Sequence, residues 1–575
     1  MVKKLKMIRI LVTILMVTSS FSFQTTANAA ETEPYGLASL DQLERLPYIG
    51  TQTMSGMEST FNRAGGYHDS LGYLYETATD RVYADLKGPG VITRIWGTNL
   101  AGDDHIKIYF DGEANPRINM TVTDFFSGTN PPFRSPLVAN NEVSSGGWVS
   151  YLPLAFNDSV RVVIAKRAGL EVYIHVGYQL YSPDTTVTTW TSSESGSQDS
   201  TSVRNKWNNV GIDPKSDAGN TTVSNTINLS SGTSQDLLDI NGPKSISSIK
   251  IKVPGVTSQG TMVTDDGRAH MGYSQFTAAI SSSNQGVVLK RRLDYSVGNQ
   301  KANVYVDGQL VGEWFDEGSC TAAIYDTFNK WKDSTFTIPS SFTSGKSSIV
   351  IRVSYVSSDV DWNEFYYWVY STVGGSDILT DQIDVYNSTS ETNHNYSINN
   401  ASWAGGSRTF YYPPDDTLAG ILNQLQIKIF WDNEQTPSVN APLGSFFATG
   451  QYGIALAPQT VMVGFDANEY MYMYFPMPFE SHAKIQLANT GANAVNNIQY
   501  EIKYKDFNDS FDNVGYFKTE FKEQSVAQSF NHDVVLIDKD GAGSIVGIVY
   551  SAKGPETQVS KTMEYPDFPT IYNYY

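Results

Sequence analysis

A single cysteine, Cys320, occurs in 575 residues. That excludes an internal disulfide, and without a paired histidine the thiol reads as incidental rather than nucleophilic. Charge is also scarce, at 17% of residues, and positive charge is scarcest: 40 Lys plus Arg stand against 59 Asp plus Glu, for a net charge of −19. A nucleic-acid partner is excluded on that ground, because its backbone needs a basic footprint. After the first thirty residues no apolar run approaches the ~20 residues of a membrane span, so no membrane association is expected once that segment is removed. Familiar chemical signatures are missing too. The chain has no His-Glu-x-x-His, no phosphate loop, no Gly-x-Ser-x-Gly and no Cys-x-x-Cys. Its 7 histidines lack ligand spacing, so neither a metal nor a cofactor is expected.

What is present is aromatic and turn-rich. Hydrophobic residues make up 40%, with 35 Tyr, 27 Phe and 46 Gly, a composition of folded rather than disordered chains. The length suits about three or four domains. Residues 1–30 read as a bacterial-type signal peptide. Lys3, Lys4, Lys6 and Arg9 precede the apolar run Ile10–Val17, and Ala27-Asn-Ala29-Ala30 supplies a cleavage site near Ala29-Ala30. The expectation is a secreted, extracellular protein. One helix is expected over Ser39–Pro47, with Leu40, Leu43 and Leu46 on one face and Ser39 as its cap. Nearly everything else alternates with period two between Gly, Pro, Asn and Ser, the pattern of short strands.

The chain repeats itself. Ile106-Lys-Ile-Tyr-Phe-Asp-Gly-Glu113 is followed by Pro116, Asn119, Phe125-Phe126 and Tyr151-Leu-Pro-Leu-Ala-Phe156. Ile427-Lys-Ile-Phe-Trp-Asp-Asn-Glu434 is followed by Pro437, Asn440, Phe446-Phe447 and Tyr474-Phe-Pro-Met-Pro-Phe479. The offset is 321 at the start (427 − 106) and 323 at the end (479 − 156). Landmarks kept in one order with so little drift mark a duplicated structural unit. Phe446, Phe447, Phe475 and Phe479 read as its core, and Asp432 and Glu434 as polar groups at a strand end.

Between the copies, Asp307-Gly308 separates two alternating runs, a strong hairpin signal. The domain limits follow: 1–30 signal peptide; 31–190 an N-terminal β unit with a short leading helix; 191–239 a polar linker rich in Ser, Thr and Asn; 240–380 an inserted β-sandwich; 381–400 a second polar linker; 401–575 a second β unit. Two places carry groups suited to sugar hydroxyls and rings. In Thr60–Asp69, Gly65 and Gly66 permit close backbone approach, flanked by the guanidinium of Arg63 and the carboxylate of Asp69; an ordinary surface turn fits the same residues. Trp96, in the strand after Gly88-Pro-Gly90, reads either as a stacking platform or as core. In the inserted unit Trp314, Trp331, Trp362, Tyr366, Tyr367 and Trp368 offer a carbohydrate-binding face or a packed interior.

Taken in order, Phe61-Asn-Arg-Ala-Gly-Gly-Tyr-His-Asp69, Gly88-Pro-Gly-Val-Ile-Thr-Arg-Ile-Trp96, Ile108-Tyr-Phe-Asp-Gly-Glu113, Pro442-Leu-Gly-Ser-Phe-Phe447, Tyr474-Phe-Pro-Met-Pro-Phe479 and Asn531-His-Asp-Val-Val-Leu536 resemble the domain of unknown function 2961, glycoside hydrolase family 172. The resemblance covers roughly 38–190 and 400–556. It implies an all-β tandem β-jelly-roll and a homotrimer or higher assembly. It makes 31–190 the N-terminal jelly-roll half, 401–575 a second jelly roll incomplete at its C-terminal end, and the middle unit an insertion. It also implies an oligo- or polysaccharide partner and retaining cleavage of α-D-fructofuranosides, difructose dianhydride among them, or of D-arabinofuranosides. Retaining chemistry needs two carboxyls about 5–5.5 Å apart. In the family a Glu-Gly-Asp motif after the Val-Gly segment resembles the nucleophile site, and Gly-Thr-Gly-Thr-Glu-Asp the acid/base site. Here Val546-Gly547 is followed by Lys561-Thr-Met-Glu564 without Gly-Asp. Glu564 stands near the nucleophile position, and nothing matches the acid/base motif. Three accounts stay open: a truncated or frameshifted enzyme, strands supplied by a separate chain, or a non-catalytic carbohydrate-binding or cell-surface relative.

Overall fold

The computed structural model describes residues 35–50, 53–63, 72–141, 144, 147–167, 172–192, 200–258, 262–295, 299–316, 331–358, 360–412, 416–449, 460–523, 535–550 and 570–572. Cys320, the expected signal peptide and its cleavage site lie outside them. Within 35–575, taken as one unit, strands dominate and helices are few and short.

The first sandwich opens with α1 (Leu37–Asp41). The expected helix is shorter than its sequence pattern: Ser39 lies inside α1 and donates to the carbonyl of Gly36 at 2.7 Å rather than capping, and a 3-10 turn over Leu43–Arg45 follows. Its strands are β1 (Met54–Ser59), β2 (Tyr75–Glu76), β3 (Asp80–Lys87), β4 (Gly90–Thr98), β5 (His105–Phe110), β6 (Ile118–Thr121), β7 (Thr129–Asn130), β8 (Phe133–Arg134), β9 (Val138–Ala139), β10 (Trp148–Ser150), β11 (Leu154–Phe156), β12 (Ser159–Ala165) and β13 (Tyr173–Leu180). One sheet runs β1-β13-β4-β10-β9, with β11 also on β4; the facing sheet runs β2-β3-β12-β5-β6. Between them pack Ile92, Ile106, Ile108, Phe110, Phe125 and Val162, all buried.

The second sandwich begins with β14 (Thr221–Leu229), β15 (Ser234–Asn241) and β16 (Lys244–Lys252). A third unit then intervenes: β17 (Met262–Ala279), β18 (Gly286–Asp294), β19 (Gln300–Val306), β20 (Gln309–Asp316), β21 (Trp331–Pro339), β22 (Ser348–Tyr355), β23 (Trp362–Glu364), β24 (Tyr366–Val373), β25 (Ser376–Asp384) and β26 (Ser397–Tyr411). The second sandwich resumes with β27 (Leu425–Trp431), β28 (Val439–Pro442), β29 (Val463–Phe465), β30 (Met471–Met473), β31 (Met477–Phe479), β32 (His482–Asn489) and β33 (Val495–Asp506). Its sheets run β14-β33-β16-β30-β29, with β31 on β16, and β15-β32-β27-β28.

Apart from β2, this is the strand order of the first sandwich, so the duplication extends to topology. Register repeats as well. Phe110 pairs with Val160 and Ile106 with Ile164, while Trp431 pairs with Ala483 and Ile427 with Leu487. At the end of β5 and of β27 the same device recurs. Asp111, at φ 47°, accepts from the backbone N–H of Asp158 (2.7 Å) and Ser159 (3.2 Å) and from the Thr189 hydroxyl. Asp432, at φ 48°, accepts from the N–H of Ser481 (2.7 Å) and His482 (3.1 Å) and from the Tyr516 hydroxyl. Burial pushes both carboxyls up, but these donors outweigh it and hold both below their ordinary value. Each aspartate therefore ties one strand end to the next strand, as a strand-end polar group should.

The fold is the expected tandem jelly roll with an inserted sandwich, but its limits differ from the sequence reading. The expected linker 191–239 contains α2 (Thr201–Asn208), β14 and most of β15. The inserted sandwich runs from β17 to β26, 262–411 rather than 240–380, and takes in both the expected 381–400 linker and the start of the expected second jelly roll. The physical reason is exposure. Strand β14 sits at a sheet edge with a mostly exposed pattern, so Ser, Thr and Asn replace apolar residues there. In the first copy β4 leads to β5 across a short turn; in the second the inserted sandwich occupies the equivalent β16–β27 connection, a surface loop of the kind that tolerates insertion.

Candidate functional site

Arg63 is exposed, and its guanidinium is held locally. It bonds the carbonyl of Gly72 and reaches Glu58 at 3.4 Å, with its carbon 4.5 Å from the Phe61 ring centroid. Gly65, Gly66 and Asp69 lie outside the described residues, as does Glu564. Trp96 sits on β4 of the same sheet that carries β1, on its outward side and half-buried. His175, its cross-strand partner on β13, holds its ring 5.1 Å away at 41°, and Arg94 lies 6.0 Å from the indole. A methyl group on Gly147 would stand 2.3 Å from the indole Nε1, so backbone lies against the ring. Burial, with Arg94 beside it, lowers the His175 pKa, which keeps the imidazole neutral against Trp96. Trp96 is thus packed among neighbours rather than standing free as a platform.

The aromatic set of the inserted sandwich separates by strand alternation. Along β24, Tyr366, Trp368 and Tyr370 point outward and are half-buried, while Tyr367 and Val369 are buried. Tyr367, Trp314 and Trp362 belong to the core. Trp331 packs in a smaller cluster with Phe365 and Phe410. Of the six expected face residues, four are interior and two outward, because period two places neighbours such as Tyr366 and Tyr367 on opposite sides.

The interior side is a tightly bonded polar centre. Arg291 is buried with its guanidinium carbon 3.4 Å from the Trp362 ring centroid. It donates to Asp316 at 2.6 Å, to the Asn363 carbonyl at 2.8 Å and to Gln300 at 3.1 Å. Glu364 is fully buried and accepts from Tyr367 (2.5 Å), Tyr396 (2.5 Å) and Ser274 (2.9 Å). Burial, with Glu364 alongside, drives both tyrosine hydroxyls well above their ordinary pKa, so they stay protonated donors. Buried His270 lies 4.0 Å from Glu364, and neither ring nitrogen meets a hydrogen-bond partner among the described residues. Desolvation lowers its pKa against the opposing pull of Glu364.

The outward side is built from rows across β21, β18, β24 and β25. In one row Asp333, Arg292, Tyr366 and Asp384 stand side by side; in the next stand Thr335, Lys290, Trp368 and Gln382. The Tyr366 and Trp368 rings are 4.6 Å apart and tilted by 40°. Lys290 and Arg292 lie 4.9 and 5.1 Å from the Trp368 centroid. Both cations are paired: Lys290 with Asp333 at 2.9 Å, Arg292 with Asp265 at 2.6 Å and with the Tyr412 hydroxyl. Burial raises the pKa of Asp265 and of Asp384. The sequence signal for this face was the Tyr-Tyr-Trp run, which does not by itself say which ring faces out. Among the described residues no group of three or more His, Cys, Asp or Glu has metal-binding geometry, and no helix is long and apolar enough to cross a membrane.

Residues 51–198 match the family model described as the GH172 first beta-sandwich domain, and residues 382–502 match the one described as GH172 domain-like. The chain thus resembles glycoside hydrolase family 172 in two separate stretches, one in the first jelly roll and one running from the end of the inserted sandwich through most of the rest of the second jelly roll, which supports a glycoside-hydrolase-like, carbohydrate-active protein. No curated protein matches. Among solved structures, the T=1 particle of infectious bursal virus aligns at 10% identity over 77% of this chain and 68% of that one, with a TM-score of 0.08. The VP2 subviral particle of infectious bursal disease virus aligns at 10% identity over 74% and 66%, with a TM-score of 0.09. Likeness at that level carries nothing about fold or function.

Proposed function

We propose, with the resemblance to glycoside hydrolase family 172 as premise, that this chain is an exported carbohydrate-active protein of the retaining furanosidase type. Its substrates are α-D-fructofuranosides or D-arabinofuranosides, and Glu564 is the candidate nucleophile. One observation supports the reading above others: two sandwiches share one strand order and one register, and the aspartates that tie them at the same place, Asp111 and Asp432, fall one in each stretch that matches the family. Retaining hydrolysis would pair Glu564 with a second carboxyl about 5–5.5 Å away. The test is release of sugar from synthetic α-D-fructofuranoside and D-arabinofuranoside substrates by the purified full chain, with the product anomer read by NMR. Release with retained configuration, abolished by Glu564→Gln, is the expected result. No release at high protein concentration overturns the hydrolase reading.

A second reading is a non-catalytic carbohydrate-binding or cell-surface protein. The outward Tyr366–Trp368 pair favours it. It expects retention on a polysaccharide without hydrolysis. Trimer formation, carried over from the resemblance, is tested by the mass of the purified chain in light scattering.

A further inference from the structure

The outward face of the inserted sandwich is built differently from an ordinary solvated sheet face. Three aromatic residues, Tyr366, Trp368 and Tyr370, occupy consecutive outward positions of one strand. At ~3.3 Å of rise per residue they form a strip about 13 Å long. Such a strip has apolar ring surface at its centre and polar groups at its rim, with Gln382 beside Trp368 on one side and Thr335 beyond Lys290 on the other. The ring pair is held in place by Lys290 and Arg292 over the indole.

The charge pattern selects the occupant. Lys290 and Arg292 are each already bound to an aspartate of this chain. Among the described residues the face therefore offers no unpaired cation to a phosphate, sulfate or uronate, and the chain as a whole, at −19, repels polyanions. A hydrophobic protein partner would fit poorly over half-buried rings crowded by four charged side chains. What fits is a ring with an apolar C–H face and hydroxyl edges: the former stacks on tyrosine and tryptophan, and the latter exchange hydrogen bonds with the amide of Gln382 and with the aspartates.

We infer that the outward face of β24 in the inserted sandwich is a binding site for an uncharged oligo- or polysaccharide, with Tyr366 and Trp368 as its stacking surface. Tyr366 and Trp368 precede the second family-matched stretch, which begins at Gln382 on the rim of this face, and the site stands whether or not the chain hydrolyses furanosides. It makes the inserted unit a targeting module that holds the protein on a glycan.

The experiment is native affinity electrophoresis of the full chain in gels containing arabinan, inulin or xylan, with polygalacturonate as the charged comparison. Retardation in at least one neutral gel is expected, and Trp368→Ala should weaken it tenfold or more. Thr335→Glu changes an exposed residue of the same row without touching the core, and should weaken retention several-fold. It keeps the test decisive if Trp368→Ala unfolds. The inference is overturned by no retardation in any neutral gel, by retardation in polygalacturonate alone, or by retention that neither substitution changes. Sugar release from small furanosides is read separately on the wild type, so a chain that is retained but inactive removes the hydrolase reading and leaves this one standing.

Discussion

Strand β24 carries two chemistries on its two sides. Inward, Tyr367 gives its hydroxyl to Glu364, near Arg291 and Trp362, in a centre where these side chains are buried and Glu364 and Arg291 are each held by several hydrogen bonds. Outward, Tyr366 and Trp368 are only half-buried, and the two cations beside them, Lys290 and Arg292, are each paired with an aspartate. The same residue types thus serve stability on one side and are available for recognition on the other. Aromatic content alone does not mark a binding face; the side of the sheet is a first condition. The first sandwich shows that it is not sufficient: Trp96 faces outward yet is packed against His175 and Gly147.

Substitutions should separate the two sides by size of effect. Trp362→Ala removes the ring beneath Arg291 and should cost about 3–5 kcal/mol, read as loss of the inserted sandwich's unfolding transition in calorimetry. A cost under 1 kcal/mol would break the contrast. Glu364→Ala leaves the buried hydroxyls of Tyr367 and Ser274, and the partly buried one of Tyr396, without their acceptor and should cost about 2–3 kcal/mol in urea unfolding. Trp368→Ala should cost only about 1 kcal/mol, while glycan retention falls tenfold. Lowering the pH should act on the interior side through His270. The folded-state pKa of His270 lies below its ordinary value of 6.5, so the unfolded chain takes up the proton first. Stability from this group is full above pH 6.5 and declines as pH falls through the lower folded value; in His270→Gln that part of the pH dependence should vanish from thermal melts. The smallest effect belongs to Thr335→Ala, within about 0.5 kcal/mol.

Much of this was legible in the sequence, and the failures have one cause. The duplicated stretch could be read because strands β5 and β27 are buried on one side and keep strict alternation, with the aspartate after each strand fixed by its backbone donors. Asp307-Gly308, both at positive φ, makes the expected hairpin between β19 and β20. The domain limits went wrong where strands are exposed. Residues 221–239 read as linker because an edge strand needs few apolar groups, and Gly242-Pro243-Lys-Ser-Ile246, the counterpart of Gly88-Pro89-Gly-Val-Ile92, is the sign that a jelly-roll strand begins there. The sugar-binding candidates divided by the same logic. Register, not composition, separates Tyr366 from Tyr367, and register depends on partners far along the chain. Of the residues expected near Arg63, Gly65, Gly66 and Asp69 lie outside the described residues, and so does Glu564.

The most direct measurement is oxidative footprinting of the tryptophans, read by mass spectrometry with and without the neutral polysaccharide that retains the protein. Trp368 should be oxidised in the free protein and protected when the glycan is added, while Trp314, Trp331 and Trp362 stay unoxidised in both samples. Equal oxidation of Trp368 in the two samples, or labelling of Trp362 at the same rate as Trp368, would contradict the division of β24 into a structural side and a recognition side.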